Sequence, residues 1–285
     1  SAGRHFERTQ RTLATMERME RYRGHFYNWY DTRTLAPLRP LYVSTVDSGN
    51  LAGHLMTLAE GLKELMRCPI VGAQTFRGIA DTLGLAGITA DEIHELTRLT
   101  PRTLGEAHAA LLRLATMIKA QPSVEGELAW WRAELIRQID EHAAELAVLT
   151  PDGSGTIPSL EQLARLPGAS GAIDRAAELV AELQRLEQHA GELADFDYDF
   201  LYDANRHLLA IGYSVTDHRL DNSFYDLLAS EARLASFVAI AQNKLPQEHW
   251  FALGRRLTTT GARPALVSWS GSMFEYLMPM LVMPS

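Results

Sequence analysis

The sequence predicts a mainly α-helical fold with a small β element, and three observations support this. Apolar side chains recur at intervals of three and four residues along most of the 285-residue chain, which is the period of an amphipathic helix. Two long segments, 123–149 and 170–194, keep this period on either side of a Pro-, Gly- and Ser-rich stretch at 150–159. Residues 198–215 instead place two short apolar runs around a polar tetrapeptide, a pattern typical of a β-hairpin.

Four helices are predicted in the first 119 residues. The first spans 3–23, where apolar side chains recur among many charges. The second begins at Ser48, whose hydroxyl can cap a helix, and ends near Pro69. A short helix follows at 89–97, with acidic residues in its first turn. The fourth runs from Pro101, a residue that suits the first helical position, to Lys119.

The two long helical segments at 123–149 and 170–194 are predicted to pair as an antiparallel helical hairpin within 123–194. A short turn of helix is expected near 160–166. The acidic outer faces of both long helices are predicted to serve solvation.

The remaining part of the chain is predicted to mix strands and helix. A β-hairpin turns at Asp203–Arg206, a helix returns from Ser223 to Gln242, and Val267–Trp269 form a short strand.

The composition excludes several classes of function. The net charge is −8 with a pI ≈ 5.7, and Lys and Arg are scattered, so nucleic acid is not expected as a partner. No apolar run reaches the ~18 residues of a membrane-spanning helix. Cys68 is the single cysteine, which rules out a disulfide framework and predicts a buried apolar thiol. The histidines show no metal-ligand spacing, so neither a metal nor another cofactor is predicted.

Aromatic and polar residues are mixed in four segments that break the amphipathic pattern. A sugar-binding cleft has this composition, because aromatic faces stack on pyranose rings while carboxylates and amides pair with hydroxyls. The alternative is a set of ordinary turns with buried, satisfied polar groups. The four segments are His25–Arg33, Tyr42–Asn50, Leu220–Arg233 and, more weakly, Ser268–Tyr276.

Within these segments, Trp29, Tyr30 and Trp269 suit stacking on sugar rings. Carboxylate and amide groups suit hydrogen bonds with the hydroxyls. The residues predicted to bind substrate are Trp29, Tyr30, Asp31, Asp47, Asn50, Asp221, Tyr225, Trp269 and Glu275.

Glycoside chemistry requires two carboxyl groups on either side of the scissile bond, one of which holds a proton near neutral pH. Glu231 is the first candidate for this acid, because it follows an apolar stretch that could desolvate it. A structural Glu paired with the nearby Arg233 is the competing interpretation. Glu275 is a second candidate, for which a substrate-binding or helix-supporting role is favoured.

Six motifs, in order along the chain, resemble the glucoamylase-like, ring-closing domain of bacterial cyclic β-1,2-glucan synthases. The resemblance extends from about residue 3 to the end and is weakest in 123–194. The motifs are Asn28–Leu35 (NWYDTRTL), Val43–Leu51 (VSTVDSGNL), Asp199–Asp203 (DFLYD), Ile211–Tyr213 (IGY), Tyr225–Ser236 (YDLLASEARLAS) and Trp269–Pro279 (WSGSMFEYLMP).

This resemblance implies an (α/α)6-barrel-like fold and a place in a very large inner-membrane enzyme. In that family a glycosyltransferase region builds linear β-1,2-glucan and a phosphorylase-like region trims it. The glucoamylase-like region between them closes the linear glucan into a ring by retaining transglycosylation. The cyclic product is a bacterial periplasmic glucan. The motif match puts the acid/base on Glu231. The implied partners are the glucan and the neighbouring regions, and the implied location is the cytoplasmic side of the membrane.

The resemblance also implies that 1–285 is a single domain fragment, an incomplete barrel truncated at its C-terminus. The family's second catalytic carboxylate is expected beyond Ser285, and the apolar stretch 277–285 supports a truncated end. We therefore expect the fragment to bind glucan without cyclising it. Two alternatives stay open: a non-catalytic glucan-binding or spacer domain, and a β-1,2-glucanase-type hydrolase.

Overall fold

The structure is a computed structural model that describes residues 2–151, 155–261 and 263–282. Residues 152–154, part of the predicted break at 150–159, and residues 283–285, part of the apolar end, lie outside the described residues. The fold is mainly helical with several small antiparallel sheets, as the sequence predicts. The barrel-like arrangement stays a prediction.

The helices in the described ranges are α1 (Ala2–Arg18), α2 (Thr45–Arg67), α3 (Ala73–Leu85), α4 (Asp91–Arg98), α5 (Leu104–Lys119), α6 (Gly126–Leu149), α7 (Leu160–Ala164), α8 (Gly171–Leu193), α9 (Arg233–Ala241), α10 (Glu248–Ala252) and α11 (Met273–Leu277). The strands are β1 (Arg21–Tyr22), β2 (His25–Phe26), β3 (Tyr42–Ser44), β4 (Tyr202–Asp203), β5 (Leu208–Leu209), β6 (Gly212–Ser214), β7 (Arg219–Leu220), β8 (Leu257–Thr260) and β9 (Arg263–Leu266).

The chain divides into two compact units. The first comprises Ser1–Arg11 and Gly61–Leu186, and the second comprises Thr12–Glu60 and Glu187–Ser285. The boundaries fall inside α1, α2 and α8. The prediction of a single domain over 1–285 stays a prediction.

The first unit is built around an apolar core supplied by α3 to α6. Every third or fourth side chain on these helices is apolar and buried, which is why they form amphipathic helices that pack on one another. Helix α5 begins after Thr103, whose hydroxyl accepts from the Glu106 amide at 3.1 Å, so Pro101 precedes the helix instead of starting it. Representative core residues are Phe76, Ile79, Leu83, Ile93, Leu111, Leu114, Leu135 and Ile139.

Both long helices predicted within 123–194 are present, as α6 and α8, and the short helix between them is α7. Helix α6 packs most extensively against α5 and also contacts α3. Antiparallel pairing of α6 with α8 stays a prediction.

The second unit contains a three-stranded antiparallel sheet in the order β3-β6-β7. Val43 pairs with Tyr213 and Ser44 with Gly212, while Tyr213 also pairs with Leu220. The predicted hairpin at 198–215 is confirmed, since β4 and β5 pair around a turn that begins at Asp203.

The helix predicted over Ser223–Gln242 is wrong in its first half, because α9 begins only at Arg233. The preceding segment consists of isolated bridges, bends and a turn, and two of its amides bond to distant residues: Tyr225 N donates to Leu209 O and Leu228 N donates to Gly254 O, both at 3.0 Å. These bonds to distant parts of the chain outweigh the local helical period.

Three boundary predictions are also wrong. The first helix, predicted over 3–23, ends at Arg18, and β1 begins at Arg21. Ser48 lies inside α2, which begins at Thr45, so it does not cap that helix. The strand predicted at Val267–Trp269 is displaced in the structure. The observed strand β9 comes before it, and the pairing of β9 with β8 ends at Leu266. Cys68, predicted to be buried, is exposed.

Helices α2 and α9 approach each other closely where α2 lacks side chains. A Cβ added to Gly49 would lie closer than 3.0 Å to the Cβ, Cα and N of Ala235, and one added to Gly53 would meet Leu234. Only glycine lets the two helix backbones come this near. Glu231 lies two residues before α9, so the position of this helix against α2 bears on where Glu231 lies.

A buried histidine ties α2 to the loop after α8. His25 Nε2 donates to Asp197 O at 2.7 Å, and Ser48 Oγ lies 2.8 Å from His25 Nδ1. Phe196, Tyr198 and Phe200 surround the imidazole. Because the ring is buried, its neutral form is favoured and the pKa of His25 falls to about 4.

Within the described ranges, none of the helices combines the length and the apolar character that crossing a bilayer requires.

Candidate functional site

Glu231, the predicted acid, belongs to a cluster of polar groups in the second unit. The hydroxyl of Tyr225 donates to Glu231 Oε1 at 3.2 Å. Glu231 is half-buried, whereas Tyr225 is only 4% exposed. The ion pair with Arg233 that would make Glu231 structural is absent from the described residues, where Arg233 donates to Tyr276 O at 3.4 Å instead.

A second tyrosine brings two more predicted residues to the same place. Tyr42, at the start of β3, donates a short hydrogen bond to Asp221 Oδ2 just after β7. A Cβ on Gly212 would lie closer than 3.0 Å to the Tyr42 hydroxyl, so glycine at this position of β6 leaves the space that the phenol occupies. Asp47, exposed in the first turn of α2, contributes negative charge at both phenols.

The two phenols are held in their neutral form. Burial raises the pKa of Tyr225 most, and the charge of Glu231 and the hydrogen bond to it add to this effect. Burial also raises the pKa of Tyr42, together with the hydrogen bond to Asp221 and the charges of Asp221 and Asp47. Both tyrosines therefore remain neutral hydrogen-bond donors throughout the neutral pH range.

Trp269 lies against this cluster and remains accessible. Its ring centroid is 5.1 Å from that of Tyr225, and its side chain is 38% exposed. Trp269 N donates to Ala229 O at 2.9 Å and Nε1 donates to Phe224 O at 3.1 Å, which fixes the indole on the segment that leads to Glu231. An exposed indole beside carboxylates suits the stacking of a sugar ring.

Glu275 has a structural role in this geometry. Its side chain is 0% exposed, and its oxygens accept from the Ser270 amide at 2.7 Å and the Ser272 amide at 2.9 Å. Burial alone raises the pKa of Glu275, but these hydrogen bonds outweigh it and bring the pKa below its ordinary value. The pair Ser272 and Glu275 forms a capping box at the start of α11. A sugar contact through Glu275 stays a prediction, and its surroundings favour the helix-supporting alternative.

Trp29, Tyr30 and Asp31 lie together in the turn after β2. Asp31 Oδ1 accepts from the amides of Arg33 and Thr34, each at 2.9 Å, and these bonds hold the pKa of Asp31 below its usual value. The Tyr30 hydroxyl is engaged with backbone, since it donates to Glu20 O at 2.6 Å and accepts from the Tyr27 amide at 2.9 Å. Trp29 is 50% exposed and free to stack. No described hydrogen bond or ring contact joins these three side chains to Glu231.

Asn50 lies one helical turn after Asp47 on α2. Its Oδ1 is buried without a hydrogen-bond partner among the described residues, and the same holds for Asn28 Oδ1. Asn28 N donates to Tyr42 O at 3.0 Å, which connects the turn containing Trp29 to β3.

The structure thus unites Asp47, Asp221, Tyr225, Glu231 and Trp269 and leaves Trp29, Tyr30 and Asp31 in a separate turn. The united set offers a carboxyl group for proton transfer, further carboxylates for sugar hydroxyls and an indole face. Within the described ranges, no group of three or more potential ligands is arranged for a metal ion. A cavity of about 370 Å³ in the first unit, beside α3 and α4, has no carboxyl group in its lining and so lacks this chemistry.

The sequence prediction missed Tyr42, Gly49 and Gly212. Tyr42 begins one of the aromatic and polar segments, which is the signal that could have identified it. Gly49 and Gly53 stand four residues apart on α2, a spacing typical of close helix contacts. Gly212 carries no comparable local signal, because its role depends on its partner strand.

Comparison with known proteins finds a relative that is similar over nearly the whole chain. No protein-family model matches the chain. The chain is 42% identical, over 294 aligned residues, to the cyclic beta-(1,2)-glucan synthase NdvB of Rhizobium meliloti (strain 1021). The alignment covers 97% of this chain and 10% of that protein. The chain is therefore similar over nearly its whole length to one segment, a tenth of the length, of a cyclic beta-(1,2)-glucan synthase.

Proposed function

We propose that the chain is a segment of a cyclic β-1,2-glucan synthase and belongs to the region that closes the linear glucan into a ring. The observation that supports this most is the hydrogen-bonded Tyr225–Glu231 pair, flanked by Asp47, Asp221 and an exposed Trp269. Acid/base groups beside a stacking surface are what a glycoside-processing site requires. The similarity to a synthase acting on this glucan indicates the substrate class.

In this proposal Glu231 is the acid/base of a retaining transglycosylation. Glu231 protonates the glycosidic oxygen as the bond between that oxygen and the anomeric carbon breaks. A second carboxylate, in the longer protein, bonds to the anomeric carbon in its place. Glu231 then removes the proton from a hydroxyl at the non-reducing end of the same glucan. The oxygen of that hydroxyl bonds to the anomeric carbon and displaces the carboxylate. The ring closes because a sugar hydroxyl, instead of water, is the acceptor.

The surrounding residues have supporting roles in the proposal. Trp269 stacks on a glucose ring, whereas Asp47 and Asp221 accept hydrogen bonds from its hydroxyls. The exposed Trp29 offers a further surface for the glucan chain. The fold completes an (α/α)6 barrel in the longer protein, which works at the inner membrane on the cytoplasmic side.

Titration calorimetry of this chain with linear β-1,2-glucan tests the substrate class. We expect binding of β-1,2-glucan and at least about tenfold weaker binding of β-1,3- and β-1,4-glucans, which corresponds to about 1.4 kcal/mol. Equal affinity for all three glucans, or no binding of any, would contradict the proposed substrate class.

A further inference from the structure

Contacts on several sides hold the hydroxyl of Tyr225 against Glu231. The Tyr225 amide donates to Leu209 O at 3.0 Å, and its ring packs against Trp269. Trp269 is itself fixed by hydrogen bonds to the carbonyls of Phe224 and Ala229. These contacts restrain the Tyr225 ring on the side of Trp269 and favour the orientation that faces Glu231.

This phenol is a donor in both protonation states of Glu231. Because it is buried and faces Glu231, Asp47 and the Tyr42–Asp221 pair, its neutral form is strongly favoured. Oε1 can accept a hydrogen bond from the Tyr225 hydroxyl whether Glu231 is a carboxylate or a neutral acid. In the neutral acid the carbonyl oxygen is the better acceptor, so the hydrogen bond to Oε1 favours the proton of Glu231 on Oε2.

We infer that Tyr225 is a positioning residue for Glu231. The Tyr225 hydroxyl donates a hydrogen bond to Oε1 of Glu231 and so leaves Oε2 as the atom that exchanges a proton with the sugar. This inference rests on the proposed function. Oε2 has no hydrogen-bond partner among the residues that the structure describes. The distance of 3.2 Å at Oε1 is long for a hydrogen bond between oxygens, which leaves room for it to shorten when substrate is bound.

The proton transfers then occur at one atom. In the first step the Oε2–H bond breaks, and its proton joins the glycosidic oxygen, which keeps the electron pair of its bond to the anomeric carbon. In the second step Oε2 takes the proton of the acceptor hydroxyl while that oxygen bonds to the anomeric carbon. Oε1 stays hydrogen-bonded to Tyr225 throughout.

The test compares Tyr225→Phe with wild type in the full-length synthase that carries this sequence. Phenylalanine keeps the ring that packs on Trp269 and removes only the hydroxyl. We expect kcat for ring formation to fall about 10- to 100-fold, as for loss of a hydrogen bond to a charged group, with KM changed by about twofold or less. Loss of a donor to the carboxylate favours the neutral acid, so the alkaline limb of the kcat/KM profile should move to higher pH.

Tyr198→Phe is the matched control. Tyr198 is also buried, and its hydroxyl has no hydrogen-bond partner among the described residues, so its removal should leave the pH profile in place. A Tyr225→Phe enzyme that is folded by circular dichroism and has an unmoved alkaline limb would overturn the positioning role. Ring formation that is undiminished by Glu231→Gln would instead overturn the proposed function itself, and the positioning role with it.

Discussion

Replacing Gly49 with alanine should separate α9 from α2 and so displace Glu231. The added Cβ would lie closer than 3.0 Å to three atoms of Ala235, among them the backbone N and Cα. Backbone atoms cannot move aside as the end of a flexible side chain can. Helix α9 would therefore have to shift on the order of 1 Å to restore ordinary carbon–carbon distances of about 3.5–4.0 Å.

The expected cost follows from two opposing effects. Overpacking of a close contact typically costs about 1–3 kcal/mol, and a clash with backbone belongs at the upper end of this range. Alanine is also the better helix former, which returns about 1 kcal/mol. We therefore expect Gly49→Ala to lower the free energy of unfolding by about 2 kcal/mol.

Urea denaturation followed by circular dichroism measures this change. Gly61→Ala is a matched control, because Gly61 lies on the same helix and a Cβ there would meet nothing within 4 Å. The control should gain about 0.5–1 kcal/mol from helix propensity alone. Ala235→Gly added to Gly49→Ala should restore only part of the loss, since the clash with the Ala235 backbone persists. A Gly49→Ala protein as stable as the Gly61→Ala control would refute the close crossing of α2 and α9.

Two further predictions follow from the same unit. The pKa of His25 is lowered from 6.5 to about 4 in the folded protein. Between these pH values the unfolded chain therefore binds a proton on His25 and the folded chain does not. The free energy of unfolding should fall by up to about 3 kcal/mol as the pH drops from 6.5 to 4. His25→Gln should flatten this part of a stability–pH profile measured by denaturant unfolding. Gly212→Ala should lower the free energy of unfolding by about 2–3 kcal/mol in the same assay, because the added Cβ would displace Tyr42 from Asp221. The same displacement should weaken glucan binding.

The sequence predicted most helices because their signal is local. The period of apolar residues located α6 within three residues of its observed bounds, and α4 and α8 within two. Helix α3 was overlooked although Phe76, Ile79 and Leu83 carry the same spacing, so that omission lay in the interpretation and not in the pattern.

The errors occurred where long-range hydrogen bonds compete with the local pattern. Residues 223–232 have a helical apolar period, yet Tyr225 and Leu228 bond to the distant Leu209 and Gly254. No local pattern contains this information. The same applies to Val267–Trp269, whose strand character was assigned by composition while the ladder of β9 ends at Leu266.

The candidate site was predictable as residue types but not as an arrangement. Glu231 and Asp47 were predicted from local composition and motifs, whereas Tyr42 reaches Asp221 across 179 residues of chain. Its contribution depends on the pairing of β3 with β6 and on the missing side chain of Gly212. Glu275 illustrates the converse, because a motif alone does not distinguish a ligand from a capping residue.

The most direct test of the central claim is Glu231→Gln in the full-length synthase, with linear and cyclic β-1,2-glucan products separated and quantified. Glutamine keeps the size of the side chain and its hydrogen bond with Tyr225 but cannot exchange the proton. Linear glucan should still be made, while cyclic glucan should fall by about 10²-fold or more. Cyclic glucan formed at the wild-type rate would contradict the role of Glu231 as acid/base.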